Sequence, residues 1–176
     1  MINLNHFHNK TIKFLFFLII IFLLGCNVVN EDNTSNRDIN INDISFPEKT
    51  ISGENFDISE FKGNNILINF WFPSCPPCVY ELEILKKIDN DFDSTSVVGI
   101  QMLGLDTKDD GIKMLKNKNI SYPSVADEKD EIVLDLNITA FPTSILFNEK
   151  GKEIKRWIGI INEEDVEKQL QEIRKD

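Results

Sequence analysis

The most constraining feature of this 176-residue chain is an apolar run that ends in a proline and is followed at once by two cysteines. The run covers residues 66–72, is rich in Ile, Phe and Trp, and ends at Pro73. Such a run predicts a strand buried on both faces of a sheet. Beyond the cysteines, apolar residues recur at helical spacing: Val79, Leu82, Leu85, Ile88 and Phe92. The sequence therefore predicts a strand, a short loop and an amphipathic helix, with Cys75 close to the start of the helix.

A cysteine at the start of a helix is chemically activated. Unpaired N–H groups and the positive end of the helix dipole favour thiolate over thiol, so we expect a low pKa for Cys75. Pro76 and Pro77 fit the first turn, where an N–H would have no intrahelical partner. Neither proline can donate to sulfur, which leaves the Cys78 N–H as the nearest main-chain donor. Two intervening residues also allow a disulfide across one helical turn, so the pair can act as a two-electron redox switch.

Two inert interpretations of the cysteine pair are weaker. A structural zinc site needs four Cys or His ligands, whereas the chain adds only Cys26, His6 and His8, all near its beginning. A purely structural disulfide between such close neighbours closes almost no loop, so it would restrict the unfolded chain very little. The spacing therefore favours a reactive pair over a staple.

The segment Asn69–Cys78, NFWFPSCPPC, resembles the active-site segment of membrane-tethered thioredoxin-like proteins of the TlpA/ResA group. Most members carry Trp before the first cysteine and a basic residue after the second, where this chain has Ser74 and Val79. The resemblance implies an α/β, thioredoxin-like fold with a mixed central sheet flanked by helices. It also implies an N-terminal hairpin and a central strand–helix insertion.

The first 42 residues predict export and tethering. Lys10 and Lys13 precede the apolar run 14–24, which is short for a membrane span and typical of a signal peptide over residues 1–25. The sequence LLGC ending at Cys26 resembles a lipoprotein lipobox, which implies lipidation of Cys26, with an uncleaved anchor as the alternative. Residues 27–42 are rich in Asn, Asp, Ser and Thr, which predicts a flexible tether before a domain over 43–176.

Weaker patterns predict the rest of the domain. Residues 43–61 hold short apolar alternations broken by Pro47 and Gly53, which favour a short hairpin and a turn. Later signals predict a strand over 97–105, a helix capped by Thr107 and Asp110, a brief strand over 121–125, a short helix ending near Asn137, a strand over 153–158 and a helix capped by Asn162. Strands and helices that alternate in this way indicate an α/β domain.

A second informative stretch runs from Ile138 to Phe147, with Pro142 opening an apolar strand. Proline is tolerated at a strand start, and cis peptide bonds are nearly confined to X–Pro. The residues alone establish no more than this. The resemblance implies that Pro142 is a cis proline beside the cysteines. It also implies that Trp71, Phe141, Pro142 and Thr143 contact the chain of a partner.

Two further residues bear on proton transfer. Asn69 stands where many cytoplasmic thioredoxins keep a buried acid, and an amide cannot exchange protons in that way. Glu81 follows Cys78 by three residues, hence on the same side of the helix, and matches a glutamate of the TlpA/ResA group. We hypothesise that Glu81 assists proton transfer at Cys78; the alternative is a solvated surface charge.

The resemblance implies an extracytoplasmic thiol–disulfide oxidoreductase without a cofactor or metal. It would reduce exported clients, such as apocytochrome c or a repair enzyme, and would be renewed by a CcdA- or DsbD-like membrane reductant. The formal net charge of −10 argues against nucleic acid as a partner. An exported oxidase and a non-catalytic binding lipoprotein remain alternatives. A Sco-type copper chaperone lacks its histidine ligand here, and no peroxiredoxin-type pattern precedes the cysteines.

Overall fold

The computed structural model describes residues 39–174 and contains a mixed five-stranded sheet. The order across the sheet is β3-β2-β1-β4-β5, with bounds Asn65–Trp71 (β1), Thr95–Met102 (β2), Ser124–Asp127 (β3), Thr143–Phe147 (β4) and Glu153–Ile158 (β5). Strands β1, β2 and β3 are mutually parallel, whereas β4 is antiparallel to both β1 and β5. Consequently β1, β2, β3 and β5 all end at the same edge of the sheet, which is called the carboxyl edge below.

Within residues 39–174, four helices start at this carboxyl edge and run back along the sheet. Their bounds are Pro76–Asp91 (α1), Lys108–Lys118 (α2), Glu131–Asp135 (α3) and Glu163–Ile173 (α4). Thr107 and Asp110 form a reciprocal capping box at the start of α2, and the Asn162 side chain accepts a hydrogen bond from the Glu164 N–H at the start of α4. Both predicted caps are confirmed, as are the mixed sheet and the α/β class.

The central strand β1 is buried on both faces, as its composition predicts. Ile68 and Phe70 pack on one face with the N-terminal segment and with Ile132 of α3. Leu67 and Trp71 pack on the other face with apolar residues of α1 and α4 and with both cysteines. The redox pair therefore follows a strand in which every residue is buried.

The ordered domain begins before the predicted boundary at residue 42. Ile41 is buried, its N–H donates to the Gly151 carbonyl at 2.8 Å, and Asn40 forms an antiparallel bridge with Lys152. The prediction of a tether through residue 42 is therefore wrong for residues 39–42, where Ile41 and the half-buried Ile39 pack on the core and the main chain bonds to Gly151 and Glu153. The signal peptide, Cys26 and the earlier part of the tether lie outside the described residues.

Other boundaries differ locally from the predicted ones. The N-terminal hairpin is limited to one antiparallel bridge, Lys49 to Asn55, and two short 3-10 turns, Ile41–Asp43 and Ile58–Phe61, flank it. Strand β2 ends at Met102, and Leu105 is exposed in the loop that follows Gly104. The predicted additional strand and helix are present as β3 and α3, although β3 begins at Ser124.

Candidate active site

Cys75 is the N-cap of α1, and its sulfur lies at the N-terminus of the helix. The Cys78 N–H points at the Cys75 Sγ at 3.3 Å, and Pro76 and Pro77 occupy the first two helical positions. The helix starts here because two prolines fix φ for its first turn and remove N–H groups that would have lacked partners. The Cys78 N–H, predicted as the nearest main-chain donor, is therefore the one that bonds to the Cys75 sulfur.

Cys75 and Cys78 form a disulfide, with their Cα atoms 5.2 Å apart. Cys75 keeps 6% of its surface exposed, whereas Cys78 is completely buried. An external sulfur can therefore approach only Cys75, and Cys78 can react only from within the protein. The two sulfurs therefore differ in their access to a partner, a difference on which the roles proposed below depend.

The loop before Cys75 is bound by a neighbouring loop. Asp106, four residues beyond the end of β2, accepts hydrogen bonds from the Ser74 N–H at 3.0 Å and from the Ser74 hydroxyl at 2.6 Å through the same oxygen. Sequence reasoning did not single out Asp106. The carboxyl ends of adjacent parallel strands meet at one edge of a sheet. Because β1 and β2 are neighbours, this rule could have placed the loop containing Asp106 next to the loop containing Ser74.

Glu81 lies one helical turn beyond Cys78 and is completely buried, so the alternative of a solvated surface charge is wrong. Its Oε1 accepts from the Ile161 N–H at 2.9 Å, and its Oε2 accepts from the Asn69 amide at 2.6 Å. Burial raises the pKa of the Glu81 carboxyl to about 7, against the opposing effect of the hydrogen bonds from Ile161 and Asn69. A carboxyl with such a pKa can take up or release a proton near neutral pH.

Asn69 holds this carboxylate in place. Its amide group donates to Glu81 and also to the Ser144 hydroxyl at 3.0 Å on the adjacent strand β4. The amide oxygen of Asn69 is buried and has no partner among the described residues. Asn69, at the position where many thioredoxins have a buried acid, therefore orients the carboxylate of Glu81. No local sequence pattern reveals this contact.

The Phe141–Pro142 peptide bond is cis, as the resemblance implies. Pro142 lies at the start of β4 and its carbonyl accepts from the Gly159 N–H at 2.8 Å, which brings the loop after β5 to the same edge. The half-buried Phe141 ring packs edge-on against Phe72, with ring centroids 5.4 Å apart. Phe141 and Pro142 thus lie at the carboxyl edge together with the loop that presents Cys75.

Three of the four residues predicted to contact a partner are buried: Trp71, Pro142 and Thr143. Trp71 is completely buried and its indole N–H donates to the Ser124 hydroxyl at 3.2 Å, because its position on β1 directs it to the helix-covered face. Thr143 is also buried, and its hydroxyl donates to the Ala140 carbonyl at 2.8 Å. Contact of these residues with a partner stays a prediction; in this structure the Trp71 and Thr143 side chains bond within the protein.

No cluster of three or more His, Cys, Asp or Glu side chains suited to a metal ion occurs within residues 39–174. The site brings together the two sulfurs and the Glu81 carboxyl with its hydrogen-bond partners. A mixed sheet flanked by helices, a Cys-x-x-Cys disulfide at a helix N-terminus and a nearby cis proline together define a thioredoxin-like thiol–disulfide oxidoreductase.

Comparison with known proteins agrees with this class. The redoxin family model matches residues 37–171. The sporulation thiol-disulfide oxidoreductase A of Bacillus subtilis is 31% identical over 130 residues, covering 72% of this chain and 78% of its own. The thiol-disulfide oxidoreductase ResA of Halalkalibacterium halodurans is 25% identical over 134 residues, covering 74% of each chain. The crystal structure of StoA from Bacillus subtilis superposes with a TM-score of 0.60 at 30% identity, covering 69% of this chain and 92% of its own.

The chain therefore belongs to the redoxin family, and within it to the TlpA/ResA-like thiol–disulfide oxidoreductases.

Proposed function

We propose that this oxidoreductase is exported, is held at a membrane through a lipid on Cys26, and reduces disulfides in exported client proteins. The observation that carries the proposal is the asymmetry of the redox pair. Cys75 reaches the surface at a helix N-terminus, while Cys78 and Glu81 are completely buried behind it. A pair built in this way can capture a client covalently and then release it.

The first step uses Cys75. Its thiolate attacks one sulfur of the client disulfide, the client S–S bond breaks, and the second client sulfur leaves as a thiolate that takes a proton from water. The Cys78 N–H, which points at the Cys75 Sγ, and the start of α1 stabilise the attacking anion. The product is a mixed disulfide between Cys75 and the client.

The second step uses Cys78 and Glu81. The Glu81 carboxylate takes the proton of the Cys78 thiol, and the resulting thiolate attacks the Cys75 Sγ. The mixed disulfide breaks, and the remaining client sulfur leaves and receives the proton from Glu81. Two electrons and two protons have then passed to the client, and the Cys75–Cys78 disulfide has formed. A membrane dithiol reductant of the CcdA or DsbD kind would restore the dithiol.

The client is proposed to dock beside Phe141 and Pro142. Both residues lie at the carboxyl edge with Cys75, and Phe141 is only half-buried, so its ring offers an apolar contact to a partner. The tethering part of the proposal rests on the sequence of residues 1–26. Over residues 39–174, none of the helices combines the length and apolar character required to span a bilayer.

The proposed activity is tested with a small neutral disulfide, bis(2-hydroxyethyl) disulfide. The reduced protein should yield two molecules of 2-mercaptoethanol per disulfide consumed, and Cys78→Ser should stop at a mixed disulfide that mass spectrometry locates on Cys75. The double Cys75→Ser, Cys78→Ser variant is the control and should be inert. Turnover by the double variant, or an adduct on a cysteine other than Cys75, would contradict the proposal.

The direction of electron flow is tested by equilibration with glutathione buffers. A reductant should have a reduction potential close to that of thioredoxin, about −270 mV. A potential near that of a strong oxidant such as DsbA, about −120 mV, would instead favour the exported oxidase.

A further inference from the structure

Three exposed apolar residues lie at the carboxyl edge, in loops that bond to Ser74 and to Pro142. Leu105 is 84% exposed and precedes Asp106, which binds the loop that presents Cys75. Ile158 and Ile160 are 68% and 47% exposed and flank Gly159, whose N–H donates to the Pro142 carbonyl. These three residues, the apolar rim, are half of the six large hydrophobic side chains exposed in the described part of the chain. An apolar surface around a reactive sulfur is suited to contact with a partner.

The same edge is strongly acidic. Its loops and first helical turns, residues 72–79, 103–111, 128–131 and 159–166, carry nine acidic residues and two lysines, while the other described residues carry sixteen acidic and thirteen basic ones. Ion pairs engage four of the nine carboxylates: Asp110, Glu128, Glu131 and Glu163. The negative charge of the domain is therefore concentrated on the edge where a client must approach.

Among these acidic residues, Asp106 is the one that bonds to the loop presenting Cys75. One of its carboxylate oxygens accepts both hydrogen bonds from Ser74, the residue before Cys75, and Asp106 is half-buried. A charge there opposes the Cys75 thiolate, so it does not favour the nucleophile. It would instead attract a cation carried by the client next to its disulfide.

We propose that this edge selects clients whose disulfide is flanked by a basic side chain and an apolar side chain, with Asp106 and the apolar rim as the matching groups. The inference rests on the proposed function, because the client must first bring its disulfide to Cys75. The occupant is an extended client segment with Lys or Arg close to the reacting cysteine. The apolar neighbour packs on the rim while the cation meets the acidic edge.

The test uses short disulfide-linked peptides that carry Leu beside the cysteine and either Lys, Gln or Glu as the second neighbour. Each rate with the reduced protein is divided by the rate with dithiothreitol, which removes the effect of the peptide charge on its own sulfur. The Lys peptide should react about tenfold faster than the Glu peptide at low salt, with Gln between them. The gap should largely disappear in about 0.5 M NaCl.

Asp106→Asn separates charge from positioning, because the amide oxygen can still accept both hydrogen bonds from Ser74. It alters the thiolate fraction of Cys75 for every peptide, so the readout is the ratio of the Lys and Glu rates. In Asp106→Asn the ratio of the Lys and Glu rates should fall from about ten to about three or less. The control Asp93→Asn, which changes an exposed acid at the opposite edge, should leave the ratio unchanged. Leu105→Ser should narrow the advantage of Leu peptides over matched Gly peptides.

Equal normalised rates for the Lys and Glu peptides at low salt would overturn the inference, as would an unchanged ratio in Asp106→Asn. Reduction of bis(2-hydroxyethyl) disulfide, which has no charge and no flanking residues, is measured in parallel on the unaltered protein. Its absence would contradict the proposed function itself, so the two failures are distinguishable.

Discussion

Glu81 is the buried residue on which the proposed proton transfer depends, and its titration should be visible in the stability of the protein. Its pKa is about 7 in the folded protein and close to 4.5 in the unfolded chain. The folded state therefore binds more protons between these values, so the free energy of unfolding falls as pH rises from 4.5 to 7. The difference between the two pKa values corresponds to about 3 kcal/mol.

Glu81→Gln should remove this dependence. Chemical denaturation of the oxidised protein, in which neither cysteine titrates, should show a flatter profile between about pH 5 and 8 than the parent protein. Glu83→Gln, an exposed acid on the same helix, is the control and should keep the parental slope. Burial also raises the pKa of Asp89 and Asp127, so part of the slope at lower pH persists in both variants. An unchanged slope in Glu81→Gln would contradict the assignment.

Asn69 should set where Glu81 titrates. Removal of its amide takes a 2.6 Å donor from the carboxylate, so Asn69→Ala should raise the pKa of Glu81 by about one unit. The rate at which Cys78 resolves a mixed disulfide should then shift to higher pH by the same amount in rapid-mixing experiments. Asn69→Asp, which keeps the shape but removes the donor, should shift it further because two carboxyls would share one proton.

A lower rate in both Asn69 variants with an unmoved pH midpoint would mean that the residue is only structural.

The sequence predicts Glu81 as a proton carrier but not the contacts that hold its carboxylate. Spacing along α1 places Glu81 beside Cys78, whereas the contacts with Asn69 and Ile161 join segments 12 and 80 residues apart. Local periodicity carries no information about such contacts.

At the scale of elements, predictions succeeded where one strong local signal acted alone. The apolar run before Pro73, the paired prolines after Cys75 and the caps at Thr107 and Asn162 each define a strand or a helix start. Strand β5 has its predicted bounds, because the turn before it and Gly159 after it limit it on both sides. Leu105 was misassigned to β2, since an exposed leucine in a loop looks like a continuation of an apolar strand.

The segment before β1 offers a test of where the domain begins. Ile41 is buried in the core cluster on the face of the sheet that also contains Phe70, although its neighbours in sequence are polar. Ile41→Ala should therefore lower the free energy of unfolding by about 2–4 kcal/mol, the usual cost of truncating a buried aliphatic residue. Ser45→Ala, at an exposed position nearby, should change it by less than about 0.5 kcal/mol.

Those two values would be obtained from chemical denaturation of the otherwise unaltered chain. Equal stabilities for Ile41→Ala and Ser45→Ala would mean that residues 39–42 behave as part of the tether after all. The sequence predicts a tether from the average polarity of residues 27–42. Such an average does not indicate whether an individual isoleucine, such as Ile41, packs in the core.

At the scale of the whole molecule, the proposal joins a reactive domain to a lipid anchor. Cys26→Ala should move the protein from the membrane fraction to the soluble fraction, because the negatively charged chain has little electrostatic attraction to anionic lipid. The activity of the released protein toward bis(2-hydroxyethyl) disulfide should be unchanged. Retention of Cys26→Ala in the membrane fraction would favour the alternative of an uncleaved anchor.

The fold is expected to keep Cys75 as a reactive anion, on which every proposed step depends. Alkylation of the reduced Cys78→Ser protein by iodoacetamide, followed across a pH series by mass spectrometry of the peptide containing Cys75, gives the pKa of that thiol alone. We expect a midpoint well below the value of about 8.5 for a free cysteine. A midpoint at or above that value would contradict it.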